Sequence, residues 1–167
     1  MIIETDLNTL YKKTISAFPL TTKRQHSTDT VSIRDINWMP FYGAKTLFLK
    51  AFIQNENREY ESIILFKNVK YEEKNGKGII AIQPSAGKRF FVEQINTGKN
   101  DVLVKCNCPD FFYRFNYYNS LDKSLFGKKR KKYEGANFWK ANPKELPGFC
   151  KHLIKTTKIL GEFGLLM

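Results

Sequence analysis

Cys106 and Cys108 stand two residues apart in CNCPDF (106–111), and Cys150 and His152 stand two apart in FCKHLI (149–154). The whole chain has three cysteines and two histidines, so these stretches hold four of the five, with 41 residues between the pairs. Thiolate sulfur and imidazole nitrogen are the ligands zinc prefers, and a Cys3His set completes a tetrahedron. Residues two apart on a helix point about 200° away from each other, whereas on an extended chain they face the same side. Cys106 closes a predicted strand, so both thiols of the first pair can converge. Cys150 and His152 can converge if Cys150 precedes the first full turn of the helix that follows. With no position left for water, the zinc is expected to be structural rather than catalytic. The alternative is three buried cysteines acting as small apolar side chains beside an ordinary histidine. The clustering argues against it, because every cysteine has a ligand-type residue two positions away.

Several elements must position these pairs. Leu7, Leu10, Tyr11, Ile15 and Phe18 fall at helical spacing over residues 4–18, and Pro19 stops the helix. Residues 20–45 read as polar and irregular, with KRQHSTDT as a loop holding His26 as a surface imidazole. TLFLKAFIQ (46–54) reads as a strand, and ESIILFKNVKY (61–71) alternates through Ile63, Leu65, Val69 and Tyr71. The Asn-Gly of EKNGKG (73–78) predicts a hairpin into GIIAIQ (78–83). KRFFVEQI (88–95) and DVLVKC (101–106) predict a second hairpin across NTGKN. The fold class expected is α+β, with an N-terminal helix and an antiparallel sheet of about five strands. PDFFYRFNYYNS then reads as a short helix with Phe111, Phe115 and Tyr118 on one face, and Asp110 favouring its N-terminal end. Residues 120–149 are loop-like, and CKHLIKTTKILGEF is the final helix.

The formal net charge is +12, and residues 101–167 hold 13 Lys and Arg against 6 Asp and Glu. The run Lys128, Lys129, Arg130, Lys131, Lys132 lies between the ligand pairs with Phe126 and Tyr133 beside it. It reads either as a phosphate-contacting loop or as a solvated one. Lys151, Lys155 and Lys158 form one stripe of the last helix, facing either a polyanion or water. Leu153, Thr157 and Leu160, with Ile154, form the core-facing stripe. Phe111, Phe112, Tyr113, Phe115, Tyr117 and Tyr118 surround Arg114 as a base-stacking platform or, the favoured reading, a packing layer. Trp139 carries the same two readings. A composition rich in Lys, Asn, Ile, Phe and Tyr also suits an AT-rich genome, which raises lysine without a functional reason.

A chain that is 42% hydrophobic and 26% charged is globular rather than disordered. No apolar run reaches the ~18–20 residues of a membrane span, and MIIETDLNTL is not a signal peptide. An intracellular, reducing setting follows, in which three cysteines do not make a disulfide framework. The chain lacks G-x-S-x-G, P-loop, H-E-x-x-H and zinc-deaminase patterns, and Asp101, Asp110 and Glu145 show no motif. An enzyme is therefore not expected, nor is a small-molecule substrate.

The pattern C-x-C…C-x-H, carried by VLVKCNCPDF and CKHLI, resembles that of the SWIM zinc finger over roughly residues 88–158. The resemblance implies one zinc held by Cys106, Cys108, Cys150 and His152 in a ββα-like module. It places the module at 88–167 of a single domain, after a helix and strands at 1–87, with a basic insertion at 111–149. The insertion is long for this family. CNCPDFFYRFNYYN and NPKELPGFCKHLI are similar to SWIM-like proteins of tailed phages and related viruses. This implies a non-enzymatic virion or assembly protein, located in the particle or the host cytoplasm. Its partners would be other virion proteins and possibly DNA. The other function implied is a cytoplasmic nucleic-acid-binding adaptor or regulator.

Overall fold

The computed structural model describes residues 5–19, 31–135 and 138–167. KRQHSTDT with His26 and the side chain of Trp139 lie outside the described residues. The fold is α+β, with helices at both ends of two antiparallel sheets.

Helix α1 (Leu7–Ala17) begins at Asp6, whose carboxylate accepts from the Thr9 amide at 2.8 Å. That bond satisfies one of the amides a helix start leaves unpaired. Leu7, Leu10, Thr14 and Ala17 are buried, while Tyr11 is exposed and Ile15 half-buried. The inward stripe is thus rotated from the one the apolar residues alone suggest.

Strands β1 (Val31–Phe41), β2 (Thr46–Asn55), β3 (Arg58–Phe66) and β7 (Val102–Cys106) form one sheet in the order β1-β2-β3-β7. Strands β4 (Tyr71–Glu72), β5 (Ile79–Ile82) and β6 (Phe90–Glu93) form a second in the order β4-β6-β5. In place of one expected sheet of about five strands, the described residues form seven strands in two antiparallel sheets. Strand β1 falls where residues 20–45 were expected to be irregular. Its register against β2 shifts between Ile33 and Asp35, and this bulge breaks the alternation of Val31 and Ile33 with Ile36 and Trp38.

Neither expected hairpin forms. Strand β6 pairs with both β4 and β5, which do not pair with each other. The turn that forms is centred on Lys77 and Gly78, closed by the Ile79 amide on the Gly76 carbonyl at 3.1 Å, and β6, with the buried Phe90 and Val92, takes the central place. Strand β7 pairs with β3, Cys106 opposite Ser62, instead of with β6. A turn closed by the Asn100 amide on the Asn96 carbonyl at 2.9 Å redirects the chain between sheets. In β3 the buried phase is Ser62, Ile64 and Phe66 rather than Ile63 and Leu65.

Beyond β7, Phe111–Phe115 make one π-helical turn that continues as α2 (Asn116–Leu121). Phe111 and Phe115 are buried, but Tyr118 is only half-buried. A short α3 (Phe138–Ala141) follows, and α4 (Lys151–Glu162) closes the fold. On α4, Leu153, Ile154 and Leu160 are buried as expected, with Thr156 rather than Thr157 beside them. One contiguous core joins Leu10, Leu49, Ile64, Val92, Phe111, Phe149 and Leu160.

Candidate metal centre

Cys106 ends β7 on the face that also buries Val102 and Val104. Asn107 prolongs the ladder by one residue before the chain bends at Cys108. The Asn107 amide donates to the Glu61 carbonyl at 3.2 Å, and its side-chain Oδ1 accepts from the Glu61 amide at 2.9 Å. Cys108 therefore returns to the Cys106 side, as period-two geometry requires. The Phe111 amide then donates to Cys108 Sγ at 3.3 Å, which ties the sulfur to the π turn.

Cys150 is the N-cap of α4, with extended torsions of φ −76° and ψ 168°. Its carbonyl accepts the Ile154 amide at 3.1 Å. His152 sits in the first turn, so both side chains can face the sheet. The approach to Cys150 is held from α1. Thr14 Oγ1 donates to the Leu10 carbonyl and accepts from the Phe149 amide, each at 2.8 Å.

The structure brings the four predicted ligands together. The three Sγ atoms and a ring nitrogen of His152 all lie within 4.8 Å of one another. Exposure is 3% for Cys106, 1% for Cys108, 0% for Cys150 and 2% for His152. On a tetrahedral zinc a thiolate sulfur and an imidazole nitrogen stand about 3.6 Å apart, and Cys106 Sγ lies 3.7 Å from His152 Nδ1. The cluster can hold one metal ion.

The surroundings supply a test of that fit. His152 Nδ1 faces the sulfurs, while Nε2 lies 3.2 Å from Asn55 Nδ2 and the Tyr60 ring stacks on the imidazole at 4.6 Å. A metal at Nδ1 requires the proton on Nε2, which then needs an acceptor. Asn55 Oδ1 is buried without a hydrogen-bond partner. Turning the Asn55 amide by 180° gives Nε2–H its acceptor and Oδ1 its donor. The orphaned oxygen therefore suits a metal-bound imidazole.

The thiols are electrostatically interdependent. Burial raises Cys106, but hydrogen bonds from Cys108, Cys150 and Ser62 outweigh it and hold the thiol well below its usual range. Cys108 is raised, first by its bond to Cys106, and burial pushes Cys150 well above the ordinary value. The pocket thus favours one thiolate that its neighbours solvate. A cation at the centre would let all three ionise.

Ser62, Asn55, Tyr60 and Asn107 do not stand out in the sequence. Ser62 lies on the phase that the alternation of Ile63 and Leu65 assigns to solvent, and only the structure places it inside. The other three reach the centre through pairings that no local pattern encodes.

The basic residues separate into two groups. Lys128, Lys129, Arg130 and Lys131 are exposed on the segment between the two Cys/His pairs, and Lys132 is half-buried against Glu145 at 3.1 Å. On α4, Lys151 and Lys155 are half-buried, and exposed Lys158 lines a cavity with Leu7, Tyr11 and Phe149. Among the described residues, no helix is long and apolar enough to cross a membrane. Comparison with known proteins finds no matching family model, curated protein or solved structure.

Proposed function

We propose that this chain is a non-enzymatic, zinc-stabilised structural or assembly protein of a tailed-phage particle, docking on other virion proteins and on nucleic acid. The burial of all four ligands carries the reading. A catalytic zinc keeps one position open to water and substrate, whereas four protein ligands close the shell. Three sulfurs and one nitrogen favour zinc over the harder divalent cations. When bound, the ion would supply no chemistry beyond cross-linking. It would join the end of β7 at Cys106, the link to the π turn at Cys108, and the start of the last helix at Cys150 and His152. The virion setting rests on the resemblance of CNCPDFFYRFNYYN and NPKELPGFCKHLI to SWIM-like phage proteins.

The exposed run from Lys128 to Lys131 favours a second reading, a cytoplasmic nucleic-acid-binding adaptor. Metal analysis tests what both readings share. One zinc per chain, with three sulfurs and one nitrogen in X-ray absorption, is expected, and absence of sulfur ligands overturns it. A constant copy number in purified particles selects the first reading. Its absence from particles, with salt-sensitive nucleic-acid binding by the protein alone, selects the second.

A further inference from the structure

The aromatic segment after Cys108 is split between two jobs. Phe111 and Phe115 are fully buried, whereas Phe112 is 39% and Tyr113 48% exposed. Helical periodicity accounts for the split, since residues four apart share a face and Phe112 and Tyr113 between them turn away. The Asn116 amide reaches back five residues to the Phe111 carbonyl, and Phe112 and Tyr113 stand adjacent on the outer side of this turn. Phe112 and Tyr113 meet edge-on at 4.8 Å, and Tyr133 meets Tyr113 at 5.0 Å.

The basic run is pinned across this surface. The Arg130 guanidinium lies 4.8 Å from the Phe112 ring centre, and Lys129 Nζ lies 5.4 Å from that of Tyr117. The Arg130 amide donates at 3.2 Å to Oδ1 of Asn116, a residue only 3% exposed. Beside the rings, Pro109, Asp110, Tyr113, Arg114, Tyr133 and Lys140 line a cleft of about 460 Å³. Its one carboxylate is neutralised, since Asp110 pairs with Arg114 at 2.8 Å. Lys140 is exposed on the cleft lining, and Lys128 and Lys131 are exposed on either side of Lys129 and Arg130 in the chain.

We infer that Phe112, Tyr113 and Arg130, with Lys128, Lys131 and Lys140, form a binding surface for single-stranded nucleic acid. Exposed rings and a guanidinium plane offer stacking faces to unpaired bases, and the lysines offer charge to phosphates. A duplex hides its base faces and would use only the charges. An acidic protein surface would leave the rings without a matching π-face. The inference deepens the reading of a zinc-stabilised docking protein and rests on it.

The experiment uses the zinc-loaded full chain and three fluorescent probes of equal length: oligo-dT of 20 nucleotides, an abasic phosphodiester and a duplex. Oligo-dT is expected to bind at least about tenfold more tightly than the abasic chain. Changing Phe112 and Tyr113 to Leu should weaken oligo-dT binding by about tenfold or more and leave abasic binding unmoved. Replacing Lys128, Lys131 and Lys140 with Gln should lower the salt slope by about 0.7 for each phosphate that is no longer neutralised. Should the ring variant fold poorly, Arg130→Lys serves in its place. It keeps the charge, removes the planar face, and should weaken only oligo-dT binding. Equal affinity for the abasic chain, preference for the duplex, or no binding overturns the inference. Zinc content is measured on the same samples. Full zinc without binding sinks this surface alone, and binding without zinc sinks the metal reading alone.

Discussion

Asn55 and His152 are 97 residues apart in the chain, yet Nδ2 of one lies 3.2 Å from Nε2 of the other in a partly buried contact. The end of β2 thereby orients a ligand carried by α4. Outer partners of this kind set which imidazole nitrogen faces the metal.

Asn55→Leu should therefore weaken metal retention by roughly 10–100-fold, the usual effect of losing such a partner. Asn55→Asp keeps an acceptor for Nε2–H and should retain most of the affinity. Competition with a chromogenic chelator measures both. Unchanged retention in the Leu variant would mean the contact is incidental.

Removing a ligand should act on folding rather than on a rate. Cys106→Ala or His152→Ala is expected to lower the stability of the whole fold sharply, since the three cysteines sit in its main core with His152 buried beside them and structural zinc supplies about 10 kcal/mol or more to small metal-nucleated folds. Chelation of the native protein should do the same. Acid should release the metal as well, because the thiolates take up protons in its place. Circular dichroism with metal quantitation follows all three. A ligand variant that melts like the native chain contradicts a structural role.

Gly148→Ala should destabilise the approach to Cys150 by about 1–3 kcal/mol, the usual range for overpacking. A Cβ there would collide with Thr14 Oγ1 and lie 2.9 Å from the Phe115 ring. The Gly148 backbone is also held by Asn119, whose side chain bonds both its amide at 2.9 Å and its carbonyl at 3.2 Å. Denaturant unfolding gives the loss of stability, and zinc affinity should fall with it.

Tyr71 should titrate last among the tyrosines. Burial is the main cause that pushes its phenol up from 10.0 to about 12, and the hydroxyl donates to the Thr46 carbonyl. The fold therefore favours the neutral phenol. That contribution is complete below pH 10 and is lost as pH rises from 10 through 12. Ultraviolet titration of phenolate should show a late step that Tyr71→Phe removes.

The ligand set was legible in the sequence because its geometry is local. Two residues of extended chain place Cys106 and Cys108 on one side, and an N-cap cysteine two before a first-turn histidine does the same for Cys150 and His152. The terminal helices were legible from apolar periodicity and Pro19. Strand order was not. NTGKN does turn the chain, and a turn follows Asn75-Gly76 at Lys77 and Gly78, but a turn does not choose its strand's partner. That choice belongs to the buried faces, which put β6 between β4 and β5 and β7 beside β3. Strand β1 was hidden by its bulge at Ile33 and Asp35, which moves the apolar residues to the other phase. The sequence by itself thus determined which atoms can bind a metal. Only the tertiary structure decided that Asn55, Tyr60 and Ser62 surround them, and which aromatic rings stay outside. Those outcomes depend on contacts between residues up to 97 positions apart, where packing and hydrogen-bond satisfaction outweigh any local preference.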